Sequence, residues 1–327
     1  MSIAPLAASL ALVFSAPATA QASAAIASGA VKPSALAPGE IVAAAPAKDW
    51  TAIAPADLLV MTLAPDRDGK PRQVVIQLMP PPFSQGWVGN IRKLAAAHWW
   101  DGLSINRVQD NYVVQWGDAN AEDKAKAKAL PGTLQTVPEG AYITPAGFLE
   151  KAGIAGGPIL KEKLIPRNDV SRFHSFYGGF PVEASATPDS VVGWPIHCYG
   201  MVGVGRDLSP DTGSGAELYT VIGHAPRHLD RNIALVGRVV EGIEHLSSLP
   251  RGTLALGFYE KHGQRTPIQS IRLATELPRA EQPRFEYLST ESASFAQYAD
   301  ARANRRDPFF NVPAGGADIC NLSLIHI

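Results

Sequence analysis

The stretch Ile105-Asn106-Arg107-Val108, followed by Tyr112-Val113-Val114-Gln115-Trp116-Gly117-Asp118, sets one arginine and one glutamine into an apolar run. A guanidinium stays charged at any cellular pH and offers a rigid fork of N–H donors. Val108, Tyr112, Val113 and Val114 favour strand, Asp110-Asn111 is a turn pair, and Gly117-Asp118 ends the second run. Two neighbouring antiparallel strands carrying Arg107 and Gln115 are therefore predicted. Alternation puts Gln115 on the face of Val113 and turns Val114 and Trp116 the other way. One face then carries a donor fork beside apolar walls. A second reading stays open here, in which Arg107 is an edge-strand charge that discourages aggregation.

Other chemistries find little support. The two cysteines, Cys198 and Cys320, lie in no CxxC or Cys/His cluster, which argues against a structural zinc. Cys198 opens a strand-like run and reads as a buried thiol, while Cys320 lies in a polar tail, so no bridge between them is expected. His224 and His228 flank a Pro-containing loop and read as surface residues. Twenty-nine Lys and Arg against 30 Asp and Glu give a net charge of -1, which supplies no electrostatic reason for a nucleic-acid or anionic-membrane partner.

The elements that must position this pair are short and turn-rich. Gly 29 and Pro 27 in 327 residues, 46% of them hydrophobic, suit a β-rich domain with one sizeable core. Strands are predicted at 57–63, 73–79, 197–204, 218–222, 231–240 and 267–273, which with the opening pair makes about eight. Trp87 to Trp99 places Val88, Ile91, Ala95 and His98 at helical spacing, and 241–249 reads as a short second helix. Trp99-Trp100 reads as a barrel-end plug.

Flanking segments read differently. Residues 1–20, ending Ala18-Thr19-Ala20, have the apolar core and A-x-A site of a secretory signal peptide, though no Lys or Arg precedes Lys32. Pro5 and Pro17 break that run too early for a membrane span. Residues 21–50 form an Ala/Pro-rich spacer. From about 119 to 195 the pattern fails, and this stretch should fold back on the barrel, with Phe173 to Phe180 as its packing anchor. In the extension 279–327, Leu288, Phe295, Tyr298 and Arg302 suggest one helix face. The last six residues, Leu322 to Ile327, look like a translated sequencing adapter.

The order Arg, turn, aromatic, hydrophobe, Gln, Gly, Asp resembles the active-site strand pair of cyclophilin-type peptidyl-prolyl isomerases. The likeness resumes at Gly200-Met201-Val202-Gly203-Val204-Gly205-Arg206, at Glu217 to Gly223, and from Leu229-Asp230 to Gly242. It implies a mainly β, closed antiparallel eight-stranded barrel capped by two helices over residues 51–278, acting without cofactor or metal. It implies peptidyl-prolyl cis-trans isomerase activity, with Arg107 catalytic. Tyr112, Val113, Tyr219 and Leu229 would line a proline pocket and Gln115 would orient the peptide backbone. Gly205, Arg206, Glu217 and Ile233 fall at further peptide-binding positions. Glu217 stands where a glutamine is usual, His228 where many members carry an aromatic, and Ile233 where many carry a histidine. Pro-containing peptides and unfolded exported proteins are the implied partners, in a secreted, periplasmic setting. The alternative is a non-catalytic, chaperone-like module that binds Pro-containing or unfolded peptides.

Overall fold

In the computed structural model, which describes residues 35–145, 171–186 and 189–322, the strand-favouring runs close on themselves. The strands are β1 (Trp50–Ala52), β2 (Leu58–Leu63), β3 (Arg72–Leu78), β4 (Ser104–Val108), β5 (Val113–Gly117), β6 (Thr144–Pro145) and β7 (Ser171–Tyr177). They continue as β8 (Phe180–Ala186), β9 (Val191–Pro195), β10 (Met201–Val204), β11 (Leu218–Val221), β12 (Leu235–Glu241), β13 (Thr266–Leu273) and β14 (Glu286–Leu288). Eight make a closed barrel in the order β10-β11-β5-β4-β13-β2-β3-β12, every neighbour antiparallel. Closure removes the exposed edges that an open sheet would present.

Alternation explains the filling. Along β2, Leu59, Met61 and Leu63 join the main core, whereas Leu58 and Val60 join a second cluster under Ile53 and Phe285. With both faces covered, β2 reads as a continuous apolar run rather than an alternating one.

Among the described residues four α-helices occur: α1 (Pro38–Ala43), α2 (Gln85–Ala96), α3 (Glu244–Ser247) and α4 (Ala293–Ala303). Helix α2 buries Trp87, Val88, Ile91, Leu94 and Ala95 against the barrel, and Trp87 Nε1 donates to the Thr212 carbonyl at 3.0 Å. The helix expected at 241–249 shrinks to the single turn α3. Strand β12 runs on to Glu241, and Gly242 turns at φ +79°, where a Cβ would lie 2.0 Å from the Gln73 carbonyl oxygen. Trp99 and Trp100 are both buried, and Trp100 Nε1 donates to Ala216 O at 2.8 Å.

Three expectations need correction. The stretch 119–195 contains a four-stranded sheet, β6-β9-β8-β7, where sequence pattern suggested none. Its β7/β8 hairpin turns at Gly178-Gly179, both at positive φ (+55° and +80°), as a tight hairpin requires. Phe180 and Val182 reach the main core, and the Phe176 ring lies 5.1 Å from that of Phe295. Residues 35–50, expected to be spacer, take part in the fold: β1 pairs with β14, and Ile41 and Val42 of α1 pack with Leu288, Phe295, Tyr298 and Leu322. Leu288 sits in β14, outside the helix predicted to include it. Residues 1–20, the rest of the spacer and 323–327 lie outside the described residues.

The third correction concerns the cysteines. Cys198 and Cys320 form a disulfide with Cα atoms 5.1 Å apart. The tail that carries Cys320 is docked, because neighbouring Ile319 is buried in the main core and Leu322 in the terminal one. A link closing 122 residues removes much chain entropy from the unfolded state. Cys320→Ser, or reduction, should therefore lower unfolding free energy by about 2–5 kcal/mol and open the C-terminal arm to protease. Denaturant titration with and without reductant measures this, and coincident curves would refute it.

Candidate active site

One irregularity in β4 places the arginine. The register runs Ile105 opposite Trp116 and then Arg107 opposite Gln115, so β4 advances two residues while β5 advances one. An extra residue inverts the alternation that follows it. Ile105 and Val108 consequently both enter the core, and Arg107 faces outward beside Gln115 and Val113. Val114 and Trp116 point inward, as alternation along β5 predicts.

Arg107 is held from three sides. Its Nε donates to Leu256 O at 2.7 Å, Nη1 to Gln115 Oε1 at 3.0 Å and Nη2 to Gln109 Oε1 at 2.5 Å. A guanidinium has five N–H groups, so one on each Nη remains for a ligand. The rings of Phe258 and Tyr112 lie 5.4 and 5.9 Å from its Cζ. Burial lowers the guanidinium's pKa from its ordinary value, and the Tyr112 and Tyr219 phenols oppose that shift. The loop supplying Leu256 is tightly constrained. Leu256 itself takes φ +59°, and at Gly257 (φ +81°) a Cβ would meet the Val108 carbonyl oxygen at 2.6 Å.

Beside the arginine, Val113, Tyr219 and Val221 form a buried apolar floor, with Tyr112, Leu229 and Ile233 packed around it. Every candidate residue named from sequence lines one open cleft of about 740 Å³: Arg107, Tyr112, Val113, Gln115, Gly205, Arg206, Glu217, Tyr219, Leu229 and Ile233. Arg206 is braced by Nε donation to Asn232 O at 3.0 Å and Nη1 donation to Asp207 O at 2.6 Å. His228 is exposed, and its ring stacks on Tyr112 at 6.2 Å.

Glu217 is the anomaly. Its carboxylate sits where a Cβ on Gly117 would fall, 2.0 Å from Oε1, so only glycine leaves it room. Both oxygens are sealed from solvent and accept no hydrogen bond of good geometry. Burial raises its pKa from 4.5 to about 7, and nearby Gln115, the Asp118 N–H and Asn106 offset the rise only in part.

Comparison with known proteins agrees with this geometry. The family described as cyclophilin type peptidyl-prolyl cis-trans isomerase/CLD matches residues 84–274. The chain belongs to that family, and its activity is that of a cyclophilin-type peptidyl-prolyl cis-trans isomerase. No curated protein sequence matches it. Among solved structures it is similar to the cyclophilin AquaCyp293 from Hirschia baltica, with 21% identity and a TM-score of 0.60 over 81% of this chain and 92% of that one. That likeness establishes the fold. A Cryptosporidium parvum cyclophilin-type isomerase crystallised with the dipeptide Ala-Pro shows 10% identity and a TM-score of 0.35, over 65% and 98% of the two chains. So distant a likeness carries no argument.

Sequence reasoning missed Gln109, Leu256 and Phe258, which hold or flank the guanidinium. Gln109 lay two residues from Arg107 in plain view. The loop that supplies Leu256 and Phe258 carries a signal of its own in Gly252 and Gly257, where a Cβ would meet a backbone carbonyl oxygen at 2.0 and 2.6 Å.

The raised carboxyl pKa gives a signed prediction. Between pH 4.5 and about 7 the folded state keeps a proton on Glu217 that the unfolded state releases, so its stability falls as pH rises through that window. Glu217→Gln should therefore stabilise the protein by about 1–3 kcal/mol at pH 8 and by little at pH 4. Denaturant midpoints at the two pH values test this; an equal gap at both would contradict it.

Proposed function

We propose that the cleft around Arg107 isomerises Xaa-Pro bonds in Pro-containing peptides and in unfolded exported proteins, assisting their folding. Rotation about an amide C–N bond costs about 18–20 kcal/mol because of partial double-bond character, and Xaa-Pro bonds exchange over tens to hundreds of seconds. No bond is made or broken, so the reaction asks for no nucleophile. It asks for a dry pocket for the proline ring and a donor favouring the twisted bond, whose nitrogen has regained its lone pair.

The single observation that carries this reading is the guanidinium fixed by three acceptors beside an apolar floor, with two N–H groups uncommitted. In this reading Val113, Tyr219, Leu229 and Ile233 take the proline ring, Tyr112 forms the wall and Gln115 aligns the peptide. Gln115 Oε1 accepts from Arg107 and one amide N–H lies toward Glu217, which leaves its second N–H for a substrate carbonyl. Gly205 leaves the backbone close enough to take part, and braced Arg206 borders the path. A stabilisation of about 4 kcal/mol in the twisted state suffices for roughly a thousandfold acceleration.

Export is supported by the Ala18-Thr19-Ala20 pattern and by the Cys198–Cys320 disulfide, a bond that persists mainly in oxidising compartments such as the periplasm. No helix of the described residues is long and apolar enough to cross a membrane. On this reading the exported chain begins near Gln21, and an intact mass that retains residues 1–20 would count against it.

Arg107→Ala should lower kcat/KM for a Xaa-Pro peptide by about ten- to a thousandfold, and Arg107→Lys should recover little, since an ammonium lacks the fork. Tyr112→Ala should weaken affinity and rate together. A protein that binds the peptide but shows no turnover, with Arg107→Ala leaving binding intact, would instead describe a chaperone-like module.

A further inference from the structure

His197 is fully buried and does not line the cleft. Its Nδ1 is 2.7 Å from Asp230 Oδ1, which also accepts the His197 backbone N–H at 3.0 Å. Its Nε2 is 2.9 Å from the Tyr219 hydroxyl, and the two rings lie nearly parallel, 10° apart. The far oxygen of Asp230 accepts from Arg227 Nε at 2.5 Å, and Arg227 also pairs with Glu183 of β8.

A buried histidine satisfied at both nitrogens is ordinary in a core. What distinguishes this one is that its second partner is the hydroxyl of a ring forming the cleft floor. A phenylalanine would fill the same floor and need no partner, whereas a phenol buried here must be hydrogen-bonded. The surroundings are shaped to that hydroxyl: a Cβ at position 203 would lie 2.3 Å from it, and the chain has Gly203 there.

We infer that His197 is a positioning residue, which fixes the Tyr219 ring in the cleft floor through an Asp230–His197–Tyr219 chain of hydrogen bonds. The polarity of the chain follows from its anchor. An ionised carboxylate only accepts, so His197 carries its proton on Nδ1 and its Nε2 accepts from the Tyr219 O–H. Burial pushes the His197 pKa down; Asp230 is held low despite its own burial by hydrogen bonds from His197 and Arg227. Both directions favour a neutral imidazole beside a carboxylate. The hydroxyl is thus tied inward, and the ring presents its apolar surface to the ligand.

This inference rests on the isomerase reading only for the use made of the cleft, and two measurements separate the two. Long-range ¹H–¹⁵N spectra of the ¹⁵N-histidine-labelled protein should show His197 as the Nδ1–H tautomer at pH 7, with its Nε2 resonance moving on Tyr219→Phe. An imidazolium, an Nε2–H tautomer or an unmoved resonance would overturn the chain, whether or not the protein turns over substrate. In a double-mutant cycle on a Xaa-Pro peptide, Tyr219→Phe and His197→Leu should each raise KM by about three- to tenfold, with kcat changing less and the double variant no worse than the worse single. Losses that add, or an unchanged KM in Tyr219→Phe, would refute positioning. Should His197→Leu not fold, Tyr219→Phe removes only the hydroxyl and still decides the question. A wild-type protein without turnover would sink the isomerase reading alone, since the spectra and the peptide Kd still report on the chain.

Discussion

One extra residue in β4 is the constraint on which the rest of the site depends. Were the alternation unbroken, Arg107 would point with Ile105 into a core packed with Trp116, Val114 and Leu218, where an unpaired guanidinium costs several kcal/mol. The slip between Ile105 and Arg107 lets the flanking Ile105 and Val108 both stay inside while the arginine turns out. Gln115, directly opposite, then meets it across the strand pair, and the Leu256 carbonyl closes on its Nε from the other side. Preorganisation follows from these contacts: the donor waits in one orientation, so substrate binding need not arrange it.

The barrel supplies rigidity and the termini supply clamps. Strand β2 is covered on its outer face by Ile53 and Phe285, so the segments before and after the barrel complete its packing. The disulfide fastens the C-terminal arm to Cys198, next in sequence to His197, which bonds the Tyr219 of the cleft floor. The four-stranded sheet reaches the same neighbourhood through Glu183, Arg227 and Asp230. Elements remote in sequence therefore converge behind the apolar floor of the cleft, whose other side is open.

The barrel strands and the Arg107–Gln115 pair were legible because their signals are local, whereas Gly205, Arg206, Glu217, Tyr219, Leu229 and Ile233 were placed only by the family resemblance. Strand-favouring runs, turn pairs and the spacing of Arg107 to Gln115 need only a few neighbours to interpret. What stayed hidden depends on contacts made across the fold. The bulge in Ile105-Asn106-Arg107 is fixed by pairing with β5, and nothing in those three residue types announces it. The β7/β8 hairpin did carry a signal, Gly178-Gly179 between aromatic residues, but its strands bury residues on both faces and lose simple alternation. Cys320 looked free because its docking is decided by Ile319 and Leu322, two apolar residues in a polar tail. His197 looked like the start of a strand, which begins only at Met201 after Gly200 turns the chain at φ +79°.

The central claim is that a guanidinium held by acceptors on three sides, and not charge alone, accelerates rotation. Exchange NMR of a Xaa-Pro peptide with catalytic protein tests it most directly, comparing the wild type with a Gln109→Ala variant that keeps Arg107 and Gln115 but loses one of the three acceptors holding the guanidinium. The account predicts that cis-trans exchange slows by about tenfold or more while the peptide remains bound. Exchange at the wild-type rate in that variant would contradict it.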